Sequence, residues 1–364
     1  MMPGHEQEWS PQFLLAAGIH WLGFVALAVL VGGLAIEVLV LPRAMSWFDG
    51  VRRRLRRLEG LSLAALGVST AGDLMTRAHT MAGGGWPAAR AALPAVLTHT
   101  HFGSLWIGRA ALLAVVLGFL AGRSRVCRVG AFGAAAAIAL TTTLTGHAAD
   151  RGDFTATVAV DWAHGIATTT WTGGLMALAL VVLREACDWP AVVLGACMRR
   201  FSRLAGVCVA AVLATGLYRA WVELESPAAL VTTAYGRVLG VKLLLVLLLL
   251  WWGAINRYAV LPALGGDAPI DPRGARLARL LRRAAPEPGA ARLRLRTFVA
   301  REAAVAAIIF ACTAVLVDST PPVHGQRGAH RANGGHGGGS PAPSRTDGTP
   351  ARAGALASSG VRAP

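Results

Sequence analysis

The run FLLAAGIHWLGFVALAVLVGGLAIEVLVL, residues 13–41, decides how the rest of the chain is read. It holds one acid, Glu37, and one histidine, His20, in an otherwise apolar stretch. As a helix it is longer than the roughly 20 residues needed to cross a ~30 Å hydrocarbon layer at ~1.5 Å per residue. Seven further runs of similar character follow, at about 60–82, 103–121, 127–147, 162–183, 202–222, 237–260 and 298–318. The pattern predicts an all-α, polytopic integral membrane protein, a bundle of about eight transmembrane helices. The second run is the least typical, because it contains Asp73 and Arg77.

Composition agrees. The chain is 54% hydrophobic and 15% charged, too few charges for a soluble domain of 364 residues. Its net charge of +16 is the balance of 35 basic against 19 acidic side chains, and Lys242 is the only lysine. The arginines fall between the apolar runs, so they are topology signals and not a nucleic-acid surface. Links 42–58, 122–128, 184–203 and 261–297 are arginine-rich; links 83–102, 148–161 and 223–236 are poor in arginine. The positive-inside rule puts the rich links in the cytoplasm and both termini outside. Trp9, Trp86, Trp106, Trp162 and Trp221 fall near outer ends, and Trp47, Trp189, Trp251 and Trp252 near inner ends, as in an aromatic belt.

Three parts follow: an outer segment 1–12, a membrane domain 13–322 with a long arginine-rich cytoplasmic link, and a tail 323–364 rich in Gly, Pro and Ala. The tail reads as disordered. The N-terminus lacks a basic signal-peptide region. The five cysteines suggest no disulfide framework. No phosphate loop or nucleotide fingerprint is present, and no soluble enzymatic domain, so the chain does not read as an enzyme or an ATP-driven pump.

On this topology every histidine falls on the outer side. His20, His79, His147 and His164 lie at similar depth on four helices, and His99 and His101 just precede a fifth. His5 precedes the first run, and His324, His330 and His336 lie in the tail. Imidazole suits copper, zinc, nickel and haem iron, and thioether sulfur adds a preference for Cu(I). Met75 and His79 share a helix face, with Met81 close by. Asp161 and His164 also share a face, so Asp161 is either a ligand or an orienting group. Asp150 and Asp153 add oxygen donors to the following link.

Charges inside the apolar runs are costly and should pair or line a polar pathway. Asp73, Arg109, Arg219 and Lys242 lie in outer halves, with Asp73 paired to Lys242 or Arg109. Glu302 and Arg257 form a candidate inner pair. Glu37 sits near an inner end, where it can snorkel to the interface. Cys187 and Cys197 are candidate soft ligands on the cytoplasmic side.

An ordered set of short motifs then suggests a family. The set contains Ile19-His20-Trp21, His101-Phe-Gly-Ser-Leu-Trp106, Gly146-His147, Asp161-Trp-Ala-His164 and Trp171-Thr-Gly-Gly174. It continues with Arg200-Phe-Ser-Arg203, Thr215-Gly216, Tyr235-Gly-Arg-Val-Leu-Gly-Val-Lys242, Asn256-Arg-Tyr258 with Pro262, Glu302 and Pro321-Pro322. In order and spacing it resembles the CopD family (copper resistance protein D) of bacterial inner-membrane proteins, over residues 13 to 322. The resemblance implies copper handling, described as uptake or tolerance, beside or fused to a periplasmic CopC-like copper-binding domain. The outer segment 1–12 is too short for that domain, so a separate CopC-like copper donor is expected.

The expectation is therefore transport or relay of a copper ion, Cu(I) or Cu(II), captured by an outer-face cluster. Its members are His20, His79, His147, His164, His101, His99, Met75, Met81 and Asp161. Two alternatives stand beside it. One is a b-type haem redox protein with bis-histidine ligation; the other is an assembly factor that delivers copper to an oxidase. Membrane lipid is an expected partner and nucleic acid is not. Sequence leaves the oligomeric state open.

Overall fold

The computed structural model describes residues 10–42, 48–146, 152, 153, 155–223, 228–264, 280 and 288–318. The chain divides into two units, Met1–Val323 and His324–Pro364, and every described residue belongs to the first. Among the described residues there are helices and no strands. They are α1 (Pro11–Ala35), α2 (Asp49–Ala82), α3 (Gly85–His99), α4 (His101–Ala121), α5 (Arg125–Leu144), α6 (Ala156–Ala177), α7 (Ala191–Glu223), α8 (Ala234–Ile255) and α9 (Pro288–Asp318). π-Helical turns extend α1 (Ile36–Val40), α6 (Leu178–Val182) and α8 (Asn256–Val260), all at the end of the bundle where the arginine-rich links lie.

Local chemistry explains the starts. Ser10 accepts from the Phe13 amide at 3.1 Å, with Pro11 opening α1. Thr100 caps α4 through Gly103 N–H (2.9 Å), and Thr233 caps α8 through Gly236 N–H (2.9 Å). These hydroxyls satisfy amides that a helix cannot pair internally. Gly83, at φ +64°, ends α2 in the left-handed conformation that glycine adopts freely.

Among the described residues seven helices are long and apolar enough to cross a membrane, and the protein is a multi-pass membrane protein. The eighth expected span, α2, is long enough but less apolar. Asp73, Arg77 and a series of Gly, Ser and Thr account for that.

Three boundaries differ from the sequence reading. Helix α2 begins at Asp49, not near 60, because its arginines are held: Arg54 pairs with Glu185 at 2.9 Å and Arg56 with Glu37 at 3.2 Å. Helix α7 likewise begins at Ala191, so most of the arginine-bearing 184–203 link is helical. The 83–102 link is not a loop. It contains α3, which packs on α2 and α4 through Ala89, Val96 and Phe102.

Helix α1 is the hub, packed against α2, α5, α6 and α9. Its crossing with α6 is made by small residues. A side chain at Gly32 would strike the Gly173–Gly174 backbone, and one at Gly173 would strike the Ala28 carbonyl. Without a hydrophobic drive between helices in lipid, this close backbone approach maximises packing. By contrast, α4, α7 and α8 turn many leucines and valines outward, the surface expected against lipid tails.

Candidate functional site

One end of the bundle is organised around His20 of α1. Its Nε2 lies 3.3 Å from Asp73 Oδ1 of α2, and its Nδ1 lies 3.1 Å from Asp318 Oδ2 of α9. Asp73 also accepts from Arg109 Nη1 of α4 at 3.3 Å. The same guanidinium donates to α5, to Thr141 Oγ1 (2.9 Å) and the Thr141 carbonyl (3.2 Å), and to Thr145 Oγ1 (3.3 Å). Five helices are thus joined by one polar chain: Asp318, His20, Asp73, Arg109, Thr141. Asp73 and Arg109 are buried, and His20 is half-buried. Such groups persist in an apolar bundle only when paired.

Tryptophans of the recognised motifs brace this end. Trp21 Nε1 donates to the Ala307 carbonyl (2.9 Å), Trp106 Nε1 to Thr70 (2.8 Å) and Trp162 Nε1 to Ala136 (2.9 Å). Each ties its helix to a neighbour, so the rings act as fasteners as well as interfacial anchors.

His164 of α6 has different surroundings. Its Nδ1 meets Thr215 Oγ1 of α7 at 2.9 Å, and the absent side chain of Gly216 leaves room for its ring. Asp161, one turn earlier, does not orient it. That carboxylate meets Arg219 Nη1 at 2.6 Å. Lys242 and Arg219 both lie near enough for their charges to act on the imidazole. The His20 end carries two carboxylates on its imidazole, whereas the His164 side is cationic. A metal cation is therefore attracted to the first and repelled by the second.

The remaining predicted residues are spread over the outer surface of this end. His79 packs on the Trp86 ring at 4.6 Å, Met75 is half-buried and Met81 is exposed. His99 ends α3 and is exposed; His101 opens α4 and meets Asp153 at 3.3 Å. His147, Asp150 and the tail histidines lie outside the described residues. Among the described residues no three His, Cys, Asp or Glu side chains converge on a point that could hold a metal ion. His20 shows why. Its two carboxylates occupy opposite ring nitrogens, so one must leave before that nitrogen can act as a ligand.

A second network, which sequence reasoning missed, lies at the opposite end of α1 and α2. Arg128 of α5 meets Glu59 at 3.0 Å and Glu37 at 3.6 Å, while Arg56 meets Glu37. Arg128 also donates to the carbonyls of Leu120 (2.8 Å) and Gly122 (2.6 Å), so its charge caps the C-terminus of α4. Glu59 is fully buried, and Glu37 is an ion-pair member rather than a snorkelling residue. The signal for Glu59 was periodicity. Glu59, Ser62, Leu66, Thr70 and Asp73 repeat at helical spacing, and all are buried on one face of α2. Glu302 is also buried, but its partner is Asn256 and not Arg257. Arg257 donates instead to the Ser202 carbonyl at 2.9 Å.

Comparison with known proteins covers most of these elements. The family model "Copper resistance protein D-like, N-terminal domain" matches residues 10–155, and "Copper resistance protein D" matches residues 195–316. The first region holds His20, Asp73 and Arg109; the second holds Asn256 and Glu302. The copper transport protein CutJ of Bacillus subtilis (strain 168) is 32% identical over 225 residues, 58% of this chain and 41% of that protein. The chain thus spans about two fifths of the length of that relative. No solved structure matches.

Proposed function

The chain belongs to the copper resistance protein D family, and on that premise we propose that it transports or relays copper across the bacterial inner membrane. The observation that carries the site is His20, held between carboxylates from two other helices. Copper is the substrate. It enters at the His20 end, which faces outward because the arginine-rich links mark the other end as cytoplasmic.

The ion takes one nitrogen of His20 in place of Asp73 or Asp318, and the released carboxylate supplies an oxygen ligand. An imidazole–carboxylate set suits Cu(II); Met75 and Met81 supply softer sites for Cu(I) near the surface. His79, His99, His101 and His147 collect the ion around this entrance. His164 and Asp161, beside two cations, contribute to the shape of the entrance more than to ligation. Arg109 holds Asp73 in place. A CopC-like copper-binding domain, on this or another polypeptide, delivers copper to the outer end.

Copper stoichiometry of the purified protein, with an optical spectrum on the same sample, tests this reading. Wild type binds copper, His20→Ala binds less, and His164→Ala stays near wild type. Equal stoichiometry in His20→Ala and wild type overturns the site. A haem Soret band in the copper-free protein overturns the function.

A further inference from the structure

Three acidic side chains are buried toward the arginine-rich end, and they differ in one respect. Glu37 and Glu59 are paired with Arg56 and Arg128. Glu302 of α9 has an amide instead: Asn256 Nδ2, on the first residue of the π-helical turn of α8, donates to Glu302 Oε1. Among the described residues no cation pairs with Glu302, although it is only 3% exposed. Asn256 Oδ1 is buried and has no hydrogen-bond partner.

Most charged groups on α9 and on the helices packed against it are directed elsewhere. On α8, Arg257 engages Ser202 and lies 5.7 Å from the Tyr258 ring centre. Lys242 precedes Asn256 by 14 residues, about 21 Å along the helix. On α1, Glu37 belongs to the arginine cluster and His20 to the other end. On α6, Asp161 meets Arg219, and beyond its end Glu185 meets Arg54. On α9 itself, Arg296 reaches Cys187, Arg301 is exposed, and Asp318 lies 16 residues away against His20.

Hydrogen-bond inventory then selects a protonation state. An ionised Glu302 has acceptors only, and so leaves Asn256 Oδ1 stranded beside it. A protonated Glu302 has one O–H to give. That O–H donates to Asn256 Oδ1 while Asn256 Nδ2 donates back, which closes an acid–amide ring and satisfies both groups. From this pairing we infer that Glu302 and Asn256 form a proton-binding site, and that its proton is exchanged against the copper ion during passage. The step is an ionisation: the Glu302 O–H bond breaks, its electron pair stays on the carboxylate, and the proton leaves to water at the inner end. The carboxylate and Asn256 Oδ1 then present two oxygens to the passing cation. With Cu(I) the exchange is one charge for one and keeps the net charge of the interior constant, which an apolar medium strongly favours; Cu(II) requires release of a second proton.

The exchange rests on the copper reading above; the proton site does not. Two measurements on the full-length protein separate them. The infrared carbonyl band of a protonated carboxylic acid is present in wild type and diminished in Glu302→Gln, which keeps the shape and the amide contact. Asn256→Leu, which removes the partner, shifts that band. Equal bands in wild type and Glu302→Gln overturn the site. In copper-loaded liposomes, an imposed pH gradient changes the wild-type copper flux several-fold and leaves that of Glu302→Gln unchanged. A gradient response retained in Glu302→Gln overturns the exchange. A wild type that moves no copper overturns the transport reading, and the infrared result still decides the site.

Discussion

Replacing Arg109 by leucine removes the centre of the His20 network, and its cost can be worked from the contacts. The guanidinium makes one ion pair and three further hydrogen bonds, at 2.9 to 3.3 Å, with only 8% of its side chain exposed. Breaking a buried pair by removing one partner costs about 3–5 kcal/mol in soluble proteins. Polar pairs between membrane helices measure less, averaging about 0.6 kcal/mol with a maximum near 1.7. Asp73 keeps its contact with His20, which places Arg109→Leu at about 2–3 kcal/mol. Much of that loss is the stranded Asp73 charge. Adding Asp73→Asn removes the charge, so the double variant recovers about 1–2 kcal/mol relative to the sum of the single variants. The assay is unfolding of the purified protein in mixed micelles titrated with denaturing detergent, for all four members of the cycle. Strict additivity, or an Arg109→Leu cost below about 0.5 kcal/mol, would refute the claim that Asp73 depends on Arg109.

Two further outcomes follow from packing and charge. Gly173→Ala forces a methyl group into the Ala28 carbonyl of α1, so thermal unfolding in detergent falls by the equivalent of about 1–3 kcal/mol; an unchanged melting temperature contradicts the tight α1–α6 crossing. Arg128→Met strands the fully buried Glu59 and uncaps α4, at a cost of about 3–5 kcal/mol, and combining it with Glu59→Gln restores part of the loss; no restoration contradicts the pairing.

Seven of the eight expected spans were legible as apolar helices of membrane length, because hydrophobicity over about 20 residues is a local property. Most of the site was not, because its contacts are distant in sequence. Asp318 lies 298 residues from His20, and nothing near either residue announces the other. The arginines of the 42–58 and 122–128 links were read as topology signals alone, yet Arg56 and Arg128 also neutralise buried glutamates. Charge counting sees only the first role. Glu302 was expected to meet Arg257, but the neighbouring Asn256 takes that place. Adjacent helical residues point about 100° apart, so α8 can face α9 with one of the two and not both. Helix α3 was missed because Pro94 and its short length hide a periodic pattern.

The two networks on α1 and α2 constrain where a cation can travel. His20 and Glu37 are 17 residues apart on α1, and Asp73 and Glu59 are 14 apart on α2. These spacings correspond to about 25 and 21 Å, most of the hydrocarbon thickness. A straight path between the two helices would bring the ion to Arg56 and Arg128. Both glutamates there already have counter-charges, so a further cation meets repulsion instead of an open ligand. The α9 side differs. Asp318 starts at the proposed entrance, and Glu302 lies 16 residues along the same helix, about 24 Å, with no cation paired to it among the described residues. The uncompensated carboxyl thus favours an exit along α8 and α9, with the arginine cluster as a fixed clamp closing the α1–α2 side. On that reasoning, Glu59→Gln alters stability and leaves the copper flux near wild type, whereas Glu302→Gln alters the flux and leaves stability near wild type. The opposite pattern would place the exit at the arginine cluster.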